Sequence, residues 1–450
     1  MKNIIKNGIF ALIIVLIAAS CKKENMPEAN LDLIDQNIIA KTSVDTWLGT
    51  NYLDPYNIEV KYKFDRFELP SGKVITPVLE GQVIPAMETV KEVWIRPFEI
   101  VGGDTFIKRI SPKQFVLAGS AEYNSDGSIT LGTAEGGRKI VLYVINNFDK
   151  TSLSEVKRMI QVIQHEYTHI LNQTIDYQTD YQTISRGGYV GNWTLEPLED
   201  AYTLGFITQY ARSAPGEDFA ETSSNMLMLG RVVFNSIVSS AAGEGKSRLQ
   251  KKEQYVVEYF KSSFNIDFYA LQEQVQTALD KISPPVLANM IGPRRGYTSM
   301  YSNPATQPNQ SPEFLAAWNA SRTAIAAQGF VLKDVKLDFP SLSTMTMTYS
   351  FTNAAGSTTY LATTDYTMTQ AAGRITFARA AVQPTSTTYQ NMGVIATSMA
   401  PVNGYFVSGP FAVNWINQLI TGAVGRLGSL GAFYKVSNNN SYFYGTMSVN

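Results

Sequence analysis

The only two histidines of this 450-residue chain, His165 and His169, stand four residues apart in the stretch VIQHEYTHILNQ. A helix places residues i and i+4 on one face, close enough for both imidazoles to share one ion. Imidazoles at that spacing supply two ligands of a tetrahedral zinc site. Glu166 lies beside His165 on the same turn, where it can take a proton from water at an open coordination position. This is the H-E-x-x-H arrangement of two ligands and a general base. With two histidines in the whole chain, chance produces the pattern in roughly a few cases in ten thousand. The competing explanation is a pair of polar residues on a solvated helix face. The apolar flanks Val162, Ile163, Ile170 and Leu171, with no proline between them, favour a packed helix instead.

Two imidazoles do not complete a site. The chain has one cysteine, Cys21, far away near the N-terminus, and no third histidine. The third ligand must be a carboxylate or a tyrosinate. Spacing alone does not choose among the downstream acids. The strongest candidate is EDFAE (217–221), in helical text, with Glu217 and Glu221 four apart on one face. One of them can bind metal while the other hydrogen-bonds a ligand imidazole and fixes its tautomer. Should Glu217 lie too far away, Glu199, Asp200 or Glu221 is next.

The elements that must carry these residues are partly legible. Ser152 and Glu155 have the spacing of a capping box. With Val156 at the origin, Ile160, Ile163, Tyr167, Ile170 and Leu171 fall within about 60° of it, and the two histidines at about 180° and about 220°. One face of this helix therefore enters the core and the other presents both rings. YNIEVKYKF (56–64) alternates as a strand does. RKIVLYVINNF (138–148) reads as a second strand, introduced by a glycine-rich turn in LGTAEGG (131–137), and is placed to align an extended peptide by edge pairing. Helical text runs from about residue 195 to about 280. Residues 286–312, rich in Pro, Gly and Asn, read as a linker. One helix follows, ended by Gly329, and then text rich in Thr, Ser, Tyr and Val that predicts a β-sandwich or barrel. The fold class predicted is α+β: a metal-binding domain over 39–285, the linker, and a β-rich domain over 313–450. No internal repeat is visible.

Lys2 and Lys6 precede the apolar run IFALIIVLIAAS, which ends at Cys21. A short basic region, an apolar stretch and small residues before the cut make residues 1–20 a secretory signal. Cys21 resembles the lipid-modified cysteine of bacterial lipoproteins, with residues 21–38 as a polar tether; the apolar run is short for a membrane span. With Cys21 acylated no disulfide can form, so stability must come from core packing, any metal, or oligomerisation. The protein is expected in the cell envelope, as an outer-membrane lipoprotein on the periplasmic side or the cell surface. Net charge is −1 and charged residues make up 17% of the chain, so bulk electrostatics does not favour nucleic acid. GEGKS (243–247) ends like a phosphate-binding loop, but Ser240 stands where its first glycine belongs. No nucleophile elbow or dinucleotide-binding motif is present.

HEYTH (165–169) followed by QYARSAPGEDFAE (209–221) resembles the gluzincin metallopeptidases. More closely, it resembles the zinc-binding metallopeptidase lipoproteins of Bacteroidetes called substrate import-associated zinc metallohydrolase lipoproteins. YNIEVKY (56–62), LGTAEGGRKIVLY (131–143) and GFITQYA (205–211) look like further family segments, and the likeness covers about residues 35–285. The resemblance implies a zincin-like fold, zinc as the cofactor, a peptide or protein substrate, and association with outer-membrane import components. The E-x-F-A-E pattern also resembles that of anthrax lethal factor and its relatives. It implies Glu217 as the third metal ligand, Glu221 as the partner of a ligand imidazole, and Tyr210 as the group facing the scissile carbonyl oxygen; by composition alone Tyr210 would be a core aromatic. A second function class stays open, a non-catalytic accessory lipoprotein of an import complex whose zinc is structural.

Overall fold

The computed structural model describes residues 41–124, 127, 129–130, 132–135, 138–421 and 429–449. The signal segment, the tether and Cys21 lie outside the described residues. The chain divides into a short N-terminal unit, Met1–Trp47, and a large unit, Leu48–Asn450, to which the rest of this description applies.

The first part of the large unit is a small mixed sheet backed by helices. Its strands are β1 (Glu59–Lys61), β2 (Gln114–Leu117), β5 (Gly132–Glu135) and β6 (Lys139–Leu142), in the order β1-β2-β6-β5. A separate ribbon pairs β3 (Glu122–Tyr123) with β4 (Ile129–Thr130). β1, β2 and β6 run parallel, and β5 runs antiparallel to β6 along the edge. All of β6 is buried, as a central strand covered on both faces must be. One face of the sheet meets Ile75 through Val116 and Val141; the other sets Phe115 edge-on to Trp94.

Two expectations change here. The strand read over 138–148 is confined to Lys139–Leu142 and is not an edge, because β2 and β5 flank it. The edge is β5, inside the glycine-rich segment read as a turn. Gly132 is needed there for close approach rather than for turning. A Cβ on it would stand 2.0 Å from Val162 Cγ1, so the edge strand lies directly against the histidine helix.

The helices that matter are α1 (Glu80–Val90), α2 (Arg96–Gly102), α3 (Leu153–Thr174), α4 (Pro215–Ser240), α5 (Gly245–Phe264) and α6 (Phe268–Ile282). α4 bends at Gly230, whose φ of +73° no helix accommodates. The bend frees carbonyls that α6 satisfies: Gln272 Nε2 donates to Met226 O (2.5 Å), and Gln276 Nε2 to Leu227 O (2.7 Å) and Met228 O (3.2 Å).

The C-terminal part is a closed eight-stranded antiparallel barrel. Its strands are β7 (Ser299–Ser302), β8 (Phe330–Asp338), β9 (Thr344–Asn353), β10 (Thr359–Ala371), β11 (Arg374–Arg379), β12 (Phe411–Trp415), β13 (Leu430–Lys435) and β14 (Asn438–Ser448), each beside its neighbours in sequence, with β14 returning to β7. Alternation shows in β9, where Met345, Met347, Tyr349 and Phe351 are buried, until Thr352, buried as well, breaks it. They join a core with Phe314 and Trp318 of α7 (Pro312–Ala326) and Met399, Val402 and Phe406 of α8 (Thr387–Val407). Burying each such side chain contributes about 1.5–3 kcal/mol. The stretch read as a linker supplies β7, which completes the ring; four residues among Pro, Gly and Asn are too few to show a period of two.

Candidate metal centre

α3 begins as its sequence requires. Ser152 Oγ accepts from the Glu155 amide at 3.4 Å, a long bond to one of the free donors of the first turn. Val156, Ile160, Ile163, Tyr167 and Leu171 are fully buried. Tyr167 sets its ring edge-on to Trp94 and Phe98, at 5.0 and 5.1 Å between centroids, which fixes the rotation of the helix. The opposite face turns His165 and His169 toward the start of α4.

α4 starts with Pro215, whose missing N–H costs nothing at that position, and carries Glu217 and Asp218 in its first turn, where the helix dipole favours negative charge. Glu217 Oε2 lies 2.9 Å from His165 Nε2 and 3.3 Å from His169 Nε2, and the two ring nitrogens are 3.2 Å apart. Tetrahedral zinc with bonds of about 2.0–2.1 Å sets its ligand atoms roughly 3.3 Å from one another. Two imidazole nitrogens and a carboxylate oxygen are also a donor set that suits zinc. The residues therefore fit the ion. Among the described residues, this is the cluster of metal-binding side chains whose donor atoms converge.

The surroundings are polarised to match. Burial opposes charge on His165, but its contacts with Glu217 and Glu221 outweigh that and push its pKa up to about 10. Burial raises Glu217 too, and hydrogen bonds to His165 and His169 overcome it, holding the carboxyl well below the usual range. Glu221, nearly buried, places Oε1 2.8 Å from His165 Nδ1. Glu166 is half-buried beside His165. Tyr210 opens a short turn, Tyr210–Arg212, with its ring centroid 5.8 Å from that of His165 and 5.0 Å from that of Trp193. Burial and the nearby Glu217 carboxylate raise its pKa, so the hydroxyl keeps its proton and can donate.

The structure thus brings His165, His169, Glu217, Glu221 and Tyr210 together. It takes Glu199 elsewhere, into an ion pair with Arg294, and Asp200 is exposed. Sequence reasoning missed the supports. Asp218 is fully buried and accepts from Lys252 Nζ at 2.7 Å and Tyr189 Oη at 2.9 Å; the same ammonium donates to Gly205 O at 2.6 Å. The available signal was Lys252 itself. It occupies the apolar stripe of α5 between Leu249 and Val256, where an unpaired lysine would not be tolerated. Arg212, also buried, donates to Gly188 O (3.1 Å) and the Glu196 carboxylate (3.0 Å), tying down the loop that carries Tyr210.

A helix-borne histidine pair completed by a glutamate on the next long helix is the donor set of a zinc-binding protein. Residues 37–269 match the model of the family described as "Putative zinc-binding metallo-peptidase", and the chain belongs to that family. The chain is also similar to a crystal structure titled as a putative zinc-binding metallo-peptidase from Bacteroides caccae ATCC 43185, with 33% identity, covering 53% of this chain and 92% of that one, at a TM-score of 0.47. No curated protein matches.

Proposed function

We propose that the chain is a zinc metallopeptidase with a zincin-like catalytic part, tethered in the cell envelope through Cys21 and serving an outer-membrane nutrient-import system. The observation that carries the catalytic reading is the 2.9–3.3 Å convergence of His165, His169 and Glu217 beside Glu166. An antiparallel edge strand lying against the histidine helix supports the zincin-like reading. The tether rests on the N-terminal sequence and the import role on family resemblance.

When bound, zinc supplies Lewis acidity toward water and the substrate carbonyl. His165, His169 and Glu217 hold it. Glu221 accepts from His165 Nδ1, leaving Nε2 free to ligate. Glu166 takes the proton of the attacking water and passes it to the leaving amine. The Tyr210 hydroxyl donates to the oxygen on which negative charge develops. An extended peptide pairs along β5, the open edge beside α3.

Metal analysis and peptide hydrolysis on wild-type and Glu166→Gln protein test the catalytic reading. The variant should keep its zinc and lose hydrolysis by about a hundredfold or more. Unchanged activity refutes the role of Glu166. A wild-type protein with one zinc and no action on a broad peptide set supports a structural zinc in an accessory lipoprotein. In cells, Cys21→Ala should shift the protein from the membrane pellet to the soluble fraction; retention in the pellet refutes the tether.

A further inference from the structure

We propose that Thr208 is a positioning residue whose hydroxyl holds the His165 ring and the Tyr210 turn in mutual register; the inference rests on the metallopeptidase reading above. Thr208 Oγ1 donates to Glu221 Oε2 at 2.6 Å, and the same oxygen accepts from the Ala211 amide at 3.1 Å. These directions follow from the partners. A carboxylate in this setting accepts, an amide N–H can only donate, and a hydroxyl can donate one hydrogen while accepting another.

Each bond reaches a different part of the site. Glu221 has its other oxygen on His165 Nδ1 at 2.8 Å. A carboxylate gripped at one oxygen cannot swing, so the grip on Oε2 aims Oε1 at the ring. Asn225 Nδ2, 3.4 Å from Oε2, is too distant to do this alone. The Ala211 amide directly follows Tyr210, so fixing it sets where the Tyr210–Arg212 turn, and with it the phenol, sits against His165. Thr208 belongs to the connection between the helix Leu198–Leu204 and α4, and its side chain is half-buried. One hydroxyl therefore joins the loop bearing Tyr210 to the helix bearing Glu221 and, through it, to α3. Removing it frees the carboxylate to turn away from His165 and the turn to drift.

Thr208→Val keeps the shape and deletes both bonds; Thr208→Ser keeps both bonds and loses only the methyl. The test is a zinc competition titration against a chromophoric chelator on the full chain, beside thermal unfolding of the metal-free protein. Thr208→Val should bind zinc about tenfold more weakly or worse, the usual effect of losing the group that orients a ligand's partner. Its metal-free melting temperature should move by only a few degrees, and Thr208→Ser should match wild type. In hydrolysis, Thr208→Val should lose kcat more than it raises KM. Wild-type zinc affinity in Thr208→Val overturns the inference, as does equal weakening in Thr208→Ser. If Thr208→Val does not fold, Thr208→Ala is read in its place by the same criteria. A wild-type chain that takes up no zinc overturns the metal centre itself, and the inference with it.

Discussion

His165 faces a carboxylate on each ring nitrogen, with Glu217 2.9 Å from Nε2 and Glu221 2.8 Å from Nδ1. Without metal, such a ring holds both protons, and its pKa is pushed up to about 10 by those two contacts against the opposing effect of burial. Metal must displace the proton on Nε2. Zinc affinity should therefore fall as pH falls, by about tenfold per unit between about pH 8 and about pH 6. Competition titrations across that range measure the slope, and an affinity independent of pH would show that no proton is displaced. HEYTH was legible because the chain's two histidines stand at helical spacing, whereas acids are so common that EDFAE needed family resemblance beside its spacing. Thr208 was not, because a hydroxyl acquires its role only from groups the fold brings beside it, and Lys252, though its place on the apolar stripe of α5 marks a buried pair, does not name its partner. Lys252 meets Asp218 from 34 positions away along the chain, and nothing local in KKE marks the pairing.

The helices show what pattern can and cannot deliver. α3 follows its sequence from the Ser152 cap to the apolar stripe, because a long amphipathic run with a cap has one good solution. α4 lies within the text read as helical from about residue 195 to about 280, yet it bends at Gly230, and the cost is met by two glutamines of α6. Gln276→Leu should leave the Leu227 and Met228 carbonyls buried without a donor and destabilise the protein by about 1–3 kcal/mol. Denaturant unfolding measures this, and an unchanged midpoint would mean those carbonyls find another partner. β5 escaped recognition because a glycine such as Gly132 signals turning and close approach equally well. Only the neighbouring Val162, 30 residues away in sequence, decides between the two.

At the scale of the whole molecule, the change of composition after residue 329 announced a β-rich region. That the ring closes, and closes through β7, depends on a long-range pairing no window of sequence contains. The barrel is joined to the metal-binding part by side chains. Val232 and Val233, just past the bend of α4, pack against the barrel core. Arg294 donates its amide to Ser236 Oγ (2.8 Å) and its Nε to Ser240 Oγ (2.9 Å), while pairing with Glu199. A fragment ending at residue 285 should thus melt several degrees lower than the full chain and self-associate, since it bares those valines. Scattering and thermal unfolding would show it, and a monomeric fragment of full stability would make the two parts independent.

The bent helix has one more consequence. Its leading arm ends in the acidic ligand and its trailing arm is moored to the ring of strands. Anything that grips the outer wall of that ring would thereby fix the bearing of the three converging ligands, as a hand on a hilt sets the direction of the blade.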